Sequence, residues 1–295
     1  MKREFFIVDV FAEEKYAGNQ LAVFLDGHLY QEAEMQKLAR EMNFSETTFI
    51  FPCESAGNLF KARIFTPAAE VPFAGHPSLG TAYVIAREIL QDRVEQVVLD
   101  LPAGRIPISF SYDATGEPDF LTMRQLEPRF GPVLDALPAA TLLGLPPEEI
   151  DGRFPAQEVS TGLPFLIIPL RSLAGIRSVR VNLAEFSRLF DRFEARAVLV
   201  FCPETCHPEN AFHMRVFADF LGVAEDPACG SGGGCLAGYL LKHGYLGGDR
   251  INVRVEQGYE VGRKSLLSLS GDVSGGRISI YVGGRVFPVA RCCLL

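Results

Sequence analysis

No stretch of this chain approaches the ~20 consecutive apolar residues that a membrane-spanning helix needs. The charged start, MKREFFIVDVF, carries only a short apolar run of β type instead of the apolar core of a leader. A soluble protein of the cytoplasm is expected, with no membrane partner. A basic surplus is missing too: 28 lysines and arginines stand against 36 acidic residues, a net charge of -8. No local basic cluster offsets that balance, which works against a nucleic-acid backbone as partner. Cysteine is sparse and unpatterned. Seven scattered residues, an odd number, form no secreted disulfide framework and fit a reducing compartment. In CPETCH, Cys202, Cys206 and His207 are followed by no second ligand pair at zinc spacing, so they read as loop residues and no metal is expected. Cys292 and Cys293 lie near the last residue, and no chemistry is assigned to them.

Glycine, by contrast, is concentrated in one place. From Ala224 to Gly238 the chain reads AEDPACGSGGGCLAG, an acidic loop that runs through glycines into an apolar helix. Glycines at a helix mouth let backbone N–H groups approach a ligand closely, and the first turn leaves those donors unpaired with the positive dipole end behind them. An anion pocket is expected there, most simply for a carboxylate. The same layout occurs earlier, in RIFTPAAEVPFAGHPSLGTA from Arg63 to Ala82. Arg63, Phe65, Glu70, Pro72 and Gly75 answer Arg215, Phe217, Glu225, Pro227 and Gly230, with three extra residues in the second copy between Arg-x-Phe and Glu-x-Pro. Two copies of one strand–loop–helix unit in 295 residues, 48% of them apolar, predict two lobes, each with its own core.

In chain order, EFFIVDVF (4–11) and LAVFL (21–25) read as paired strands joined through Gly18-Asn19. Met35, Leu38, Ala39 and Met42 fall at helical spacing and predict an amphipathic helix over 32–42, ending near Asn43. In the strand SETTFIF (45–51), Glu46, Thr48 and Ile50 share one face. Strand 59–66 leads to an apolar helix from about Pro77 to Leu90, a tolerated place for a first-turn proline. Strands at QVVLDLP, GRIPISF and DFLTMRQ complete the first sheet, and a boundary falls close to Glu127. From 128 to 147 a crossover with one short helix is expected. PFLIIPL, AVLVFC and AFHMRVF then open a second sheet, Cys235 to Leu241 form the twin helix, and INVRVEQG, SLLSLSG, RISIYVGG and RVFPVA are further strands. Lobes of 1–127, joined by a returning C-terminal strand at about 278–295, and of 128–277 are expected.

NFSETTF (43–49), FAGHPSLGTA (73–82), AEDPACGSGGG (224–234) and EQGYEVGRKS (256–265), in this order, resemble the phenazine-biosynthesis PhzF-like family over essentially the whole chain. Gln20 in GNQLAV and Lys264 stand where the family usually has proline, departures that do not touch the chemistry. The resemblance implies the α+β, diaminopimelate-epimerase-like fold: two similar lobes, each a curled, mainly antiparallel sheet around a central helix, with the active site in the cleft between them. It implies Glu46 as catalytic acid/base, with His76 and Asp226 in the catalytic set. It further implies substrate contacts from His76, Asp226 and Ser231, and backbone donors around Gly75 and Gly230. It implies a homodimer acting on a small carboxylate and no cofactor.

Each of these residues has a plainer account. Glu46 suits a solvated edge strand, His76 a helix cap, Asp226 a turn before Pro227, and Ser231 an N-cap. Their coincidence at two matching helix mouths favours function. An epimerase needs two bases opposed across a cleft, two cysteines in the diaminopimelate enzyme. Here Cys229 falls at one thiol position, but Ala74 occupies the other. A single carboxylate that removes a proton and redelivers it at another carbon on the same face shifts a double bond. Burial is expected to raise Glu46 from about 4.3 toward about 6–7 for that task. A cofactor-independent isomerase of a small unsaturated or amino carboxylic acid is the favoured reading. A racemase using Cys229, activated at its helix N-terminus, against Glu46 or His76 is one alternative, and a non-catalytic carboxylate-binding protein is another.

Overall fold

A computed structural model describes residues 3–52 and 58–295. The chain forms two compact units, one of residues 1–124 with 282–295 and one of residues 125–281. The first contains β1 (Arg3–Val10), β2 (Asn19–Phe24), α1 (Glu32–Met42), β3 (Glu46–Phe51), β4 (Leu59–Phe65), β5 (Glu70–Val71), α2 (Gly75–Val84), β6 (Gln96–Leu101), β7 (Gly104–Tyr112) and β8 (Pro118–Arg124). The second contains β9 (Arg129–Leu134), α3 (Ala136–Leu143), β10 (Ala156–Ser160), β11 (Pro164–Pro169), α4 (Leu173–Ser178), α5 (Leu183–Ser187), β12 (Ala197–Cys202), β13 (Phe212–Ala218), β14 (Val223–Asp226), α6 (Gly230–Lys242), β15 (Arg250–Gln257) and β16 (Ser265–Ser274). Strands β17 (Arg277–Gly284) and β18 (Val286–Leu294) end the chain, and β18 runs antiparallel to β1. This is an α+β architecture with few helices.

The strand pairing repeats between the units. In the first, β1–β2 is antiparallel, β2–β3 parallel, β3–β4 antiparallel and β4–β6 parallel, with β5 antiparallel to β4 and β7 antiparallel to β6. In the second, β10–β11, β11–β12, β12–β13 and β13–β15 follow the same alternation, with β14 on β13 and β16 on β15. Helices α2 and α6 are the twins. Every residue of α2 is buried, and the helix packs on β1, β2, β3, β6, β7 and β8. Residues 230–241 of α6 are all buried, against β10, β11, β15 and β16. A helix apolar on every side can only be covered on every side, so each sheet curls around its helix.

Local chemistry sets the boundaries. α1 spans the predicted residues and stops where Asn43 enters the left-handed region at φ 52°. The turn into β2 rests on Gly18, at φ +67°, where a Cβ would lie 2.4 Å from the Val10 carbonyl oxygen. Helix α2 ends at Val84 and continues as a π-helical turn over Ile85–Leu90. Three expectations need correction. The glycines 232–234 lie inside α6, whose helix starts at Gly230. None of them has positive φ; a Cβ on Gly234 would meet the Gln125 side chain at 2.8 Å, so close packing calls for glycine there. The crossover after residue 128 holds a strand, β9, paired with β10. Cys202 is not a loop residue but the buried end of β12.

Candidate active site

In the first unit, Glu46 opens β3 beside Leu21 of the parallel β2. Its side chain is 13% exposed, and its Oε2 lies 3.5 Å from His76 Nε2. His76 sits in the first turn of α2, one residue after Gly75, and is 2% exposed. Asn19, the first residue of β2, places its Nδ2 3.1 Å from His76 Nδ1. Burial drives the imidazole down from 6.5 to about 3, outweighing a backbone hydrogen bond with Gln20. The ring is therefore neutral beside the carboxylate, and the 3.5 Å contact is not an ion pair. Ala74, at the N-cap, has no side-chain acceptor for the first-turn amides. The mouth of α2 thus offers unclaimed N–H donors, a neutral imidazole and one carboxylate.

In the second unit, Asp226 ends β14 and Gly230 and Ser231 open α6, with Asp226 8% and Ser231 3% exposed. The N-cap is Cys229, whose Sγ accepts the Gly232 N–H at 3.3 Å. Gln257, buried at the end of β15, braces the mouth: its Oε1 accepts the Cys229 N–H at 2.9 Å, and its Nε2 donates to the Asp226 carbonyl at 2.5 Å. Gly258 follows at φ +79°, where a Cβ would come 2.5 Å from the Pro227 carbonyl oxygen. The chain thus passes close under the loop that carries Asp226.

Glu46, His76 and Gly75 therefore gather at one helix mouth, and Asp226, Gly230 and Ser231 at the other. Sequence reasoning singled out all six but passed over Asn19 and Gln257, which hold His76 and the Cys229 amide in place. Gln257 lies within EQGYEVGRKS, one of the stretches that carried the family resemblance, and Asn19 lies in GNQLAV, which was noted only for Gln20 standing in place of a proline. A surface cavity of about 770 Å³ in the second unit is lined by Arg177, Arg180, Arg215, Phe217, Tyr259 and Glu260 among others, and by none of the six. No helix among the described residues is long and apolar enough to cross a membrane.

The chain matches the phenazine biosynthesis-like (PhzC-PhzF) family over residues 8–291. It is 35% identical to an uncharacterized isomerase of Mesorhizobium japonicum, covering 98% of this chain and 97% of that one. It is 32% identical to the trans-2,3-dihydro-3-hydroxyanthranilate isomerase of Pseudomonas aeruginosa, covering 98% of each. The crystal structure of a Bacillus anthracis phenazine biosynthesis protein of the PhzF family superposes with a TM-score of 0.90 at 25% identity, over 100% of this chain and 99% of that one. The chain belongs to the phenazine biosynthesis-like family and is an isomerase.

Proposed function

We propose that this isomerase moves a proton between two carbons of a small unsaturated or amino carboxylic acid, with Glu46 as its single acid/base. The supporting observation is an asymmetry between the repeats. Thr47 pairs with Phe65 across β3–β4, and Val198 pairs with Phe217 across β12–β13. Since Phe65 answers Phe217, Glu46 answers Ala197. At the N-caps, Ala74 of α2 answers Cys229 of α6. Glu46 thus has no carboxylate, and Cys229 no thiol, at the matching position of the other unit, where the two-cysteine epimerisation asks for the same group at both.

The chemistry balances on one group. The Glu46 carboxylate takes a proton from the substrate carbon, the electron pair shifts the double bond, and the Glu46 carboxyl, after exchanging its proton with solvent, delivers one to the far carbon. Asn19 Nδ2 lies 3.1 Å from His76 Nδ1, and His76 Nε2 lies 3.5 Å from Glu46 Oε2, so the neutral ring is held directly beside the carboxylate. Within each unit the helix N-terminus, at Gly75 in one and at Gly230 with Ser231 and Asp226 in the other, favours a carboxylate and the negative charge that develops. The Pseudomonas aeruginosa relative is named for a dihydro-3-hydroxyanthranilate, which is itself an unsaturated amino acid. We extend only that chemical class to this chain.

Small unsaturated and amino acids that raise the melting temperature identify ligands by mass action. A substrate found among them, turned over in D2O, should gain deuterium at the receiving carbon with the wild-type protein. Glu46→Gln should bind it yet convert it about 10²–10⁴-fold more slowly. Wild-type turnover and exchange by Glu46→Gln would remove Glu46 as the base. A second reading draws on the Cys229 sulfur at the α6 N-cap, where it accepts a helix N–H: a racemase in which Cys229 is one of two bases. An inverted stereocentre in the product would favour it.

A further inference from the structure

Away from the two helix mouths, the second unit holds a cluster that isomerisation does not use. Cys206, His213 and Glu256 bring one ligand atom each to within 4.8 Å of one another. His213 and Glu256 are fully buried, and Cys206 is half-buried. His213 Nδ1 lies 3.0 Å from Glu256 Oε2 and 3.9 Å from Cys206 Sγ. On the other side of the ring, Nε2 faces both oxygens of Glu260, at 3.1 and 3.2 Å. We propose that Cys206, His213 and Glu256 form a zinc(II) site, with Sγ, Nδ1 and Oε2 as ligands, that ties the loop after β12 to β15.

Three features support zinc. Metal–ligand bonds of about 2.0–2.3 Å in a tetrahedron place neighbouring ligand atoms about 3.3–3.6 Å apart, and the separations of 3.0 and 3.9 Å bracket that range. Thiolate, imidazole and carboxylate together match a borderline-soft ion. A ligating histidine ordinarily gives its other N–H to a carboxylate, which fixes the ring and raises its basicity; Glu260 stands in that place. The Glu256 bonds to the Cys206 and His207 amides and to Asn210, at 2.7–2.8 Å, aim the carboxylate and close the loop around it.

Binding must release two protons, one from the Nδ1···Oε2 contact and one from the Cys206 thiol, and a water takes the fourth position. Because both protons leave on binding, affinity should rise with pH. Nothing in CPETCH announced the site, because His213 is seven residues and Glu256 fifty residues beyond Cys206.

The test uses the full chain with Cys292→Ala and Cys293→Ala, which removes the two thiols near the C-terminus. After chelation, cobalt(II) should bind one per chain with a thiolate-to-cobalt charge-transfer band, and zinc should displace it. Calorimetry in buffers of different ionisation enthalpy should count close to two protons released per zinc. Cys206→Ser should abolish the band, and Glu260→Gln, which leaves all three ligands in place, should weaken zinc by about 10–100-fold. A folded chain that takes up cobalt without the band, or binds zinc equally well with Cys206→Ser, overturns the site and leaves the cluster as a hydrogen-bonded clamp.

Discussion

In the first unit Arg63 forks onto Glu70 through Nε and Nη2, at 2.7 and 2.5 Å, and lies 5.1 Å over the Phe65 ring. In the second, Arg215 forks onto Glu225 at 2.8 and 2.7 Å and lies 4.7 Å over Phe217. The three extra residues of the second copy are taken up in a short helical turn over Asp219–Leu221, closed by Gly222 at φ +88°. The device that carries each strand into its helix mouth has been kept, while the groups delivered there have diverged. Glu46 and His76 stand in one unit where Ala197 and Ser231 stand in the other, and Asp226 stands where the first unit has Val71. A duplicated scaffold supplies two helix N-termini with the same positive field. The unmatched side chains laid on it decide whether a proton is exchanged between two bases or carried by one.

The strongest way to break this comparison is to make the units alike. Ala197 is fully buried, so Ala197→Glu forces a carboxylate out of water into a packed strand. A loss of about 3–5 kcal/mol in urea unfolding is expected. Unchanged stability would mean that the second strand accepts an acid freely, and Ala197 would no longer separate the units. The arginine forks come next. Arg215 is 5% exposed and also donates to the Ile176 carbonyl at 2.9 Å. Arg215→Met should therefore lose about 3–5 kcal/mol, since Glu225 is left without its partner. Arg63 is 21% exposed and Glu70 29%, and Arg63→Met should lose about 1 kcal/mol or less. Equal losses would show that burial does not set the difference.

How far the sequence could be read follows from the range of the interactions. α1 was legible to the residue because its apolar spacing and its Asn43 stop lie within the helix. The arginine forks could be aligned because both copies wrote the same residues in the same order. β9 was missed because RFGPVL contains Gly131 and Pro132 and shows no alternation, and its strand character comes from pairing with β10. The six proposed site residues could be named because they stand in motifs, but Asn19 and Gln257 act on partners 57 and 28 residues away. No local pattern encodes such a bond. Gly234 was read as part of a helix mouth open to a ligand, whereas a Cβ there would meet the Gln125 side chain at 2.8 Å, a contact that only the tertiary structure shows.

A subtler contrast is carried by pH. Folding depresses His76 from 6.5 to about 3, so between those values the unfolded chain binds a proton that the folded chain does not. Stability should rise with pH across that window by about 1.4 kcal/mol per unit from this one group, and the contribution should level off above about 6.5. His76→Gln should flatten that part of the curve. Ser231, at the matching position in α6, has no such titration, so Ser231→Ala should leave the slope as it is. An unchanged slope in His76→Gln would mean that the imidazole is not held neutral by the fold.

The smallest effect expected is at Cys229, and it bears most directly on which proton chemistry the asymmetry supports. Its sulfur accepts one helix N–H at 3.3 Å, and its own amide is held by Gln257 rather than through its side chain. Cys229→Ala should therefore lose about 1 kcal/mol or less of stability, the range for an N-cap replaced by alanine. It also makes the second N-cap identical to Ala74 of the first. If Glu46 carries the proton alone, turnover of an identified substrate should stay within a few-fold of wild type, since the Gly230 and Ser231 amides keep their helix geometry, and deuterium should enter at the same carbon. If instead turnover vanishes while binding and the unfolding curve are preserved, the thiol is a base. The asymmetry would then mark a two-base racemase and not a single carboxylate with a spare cysteine elsewhere in the chain.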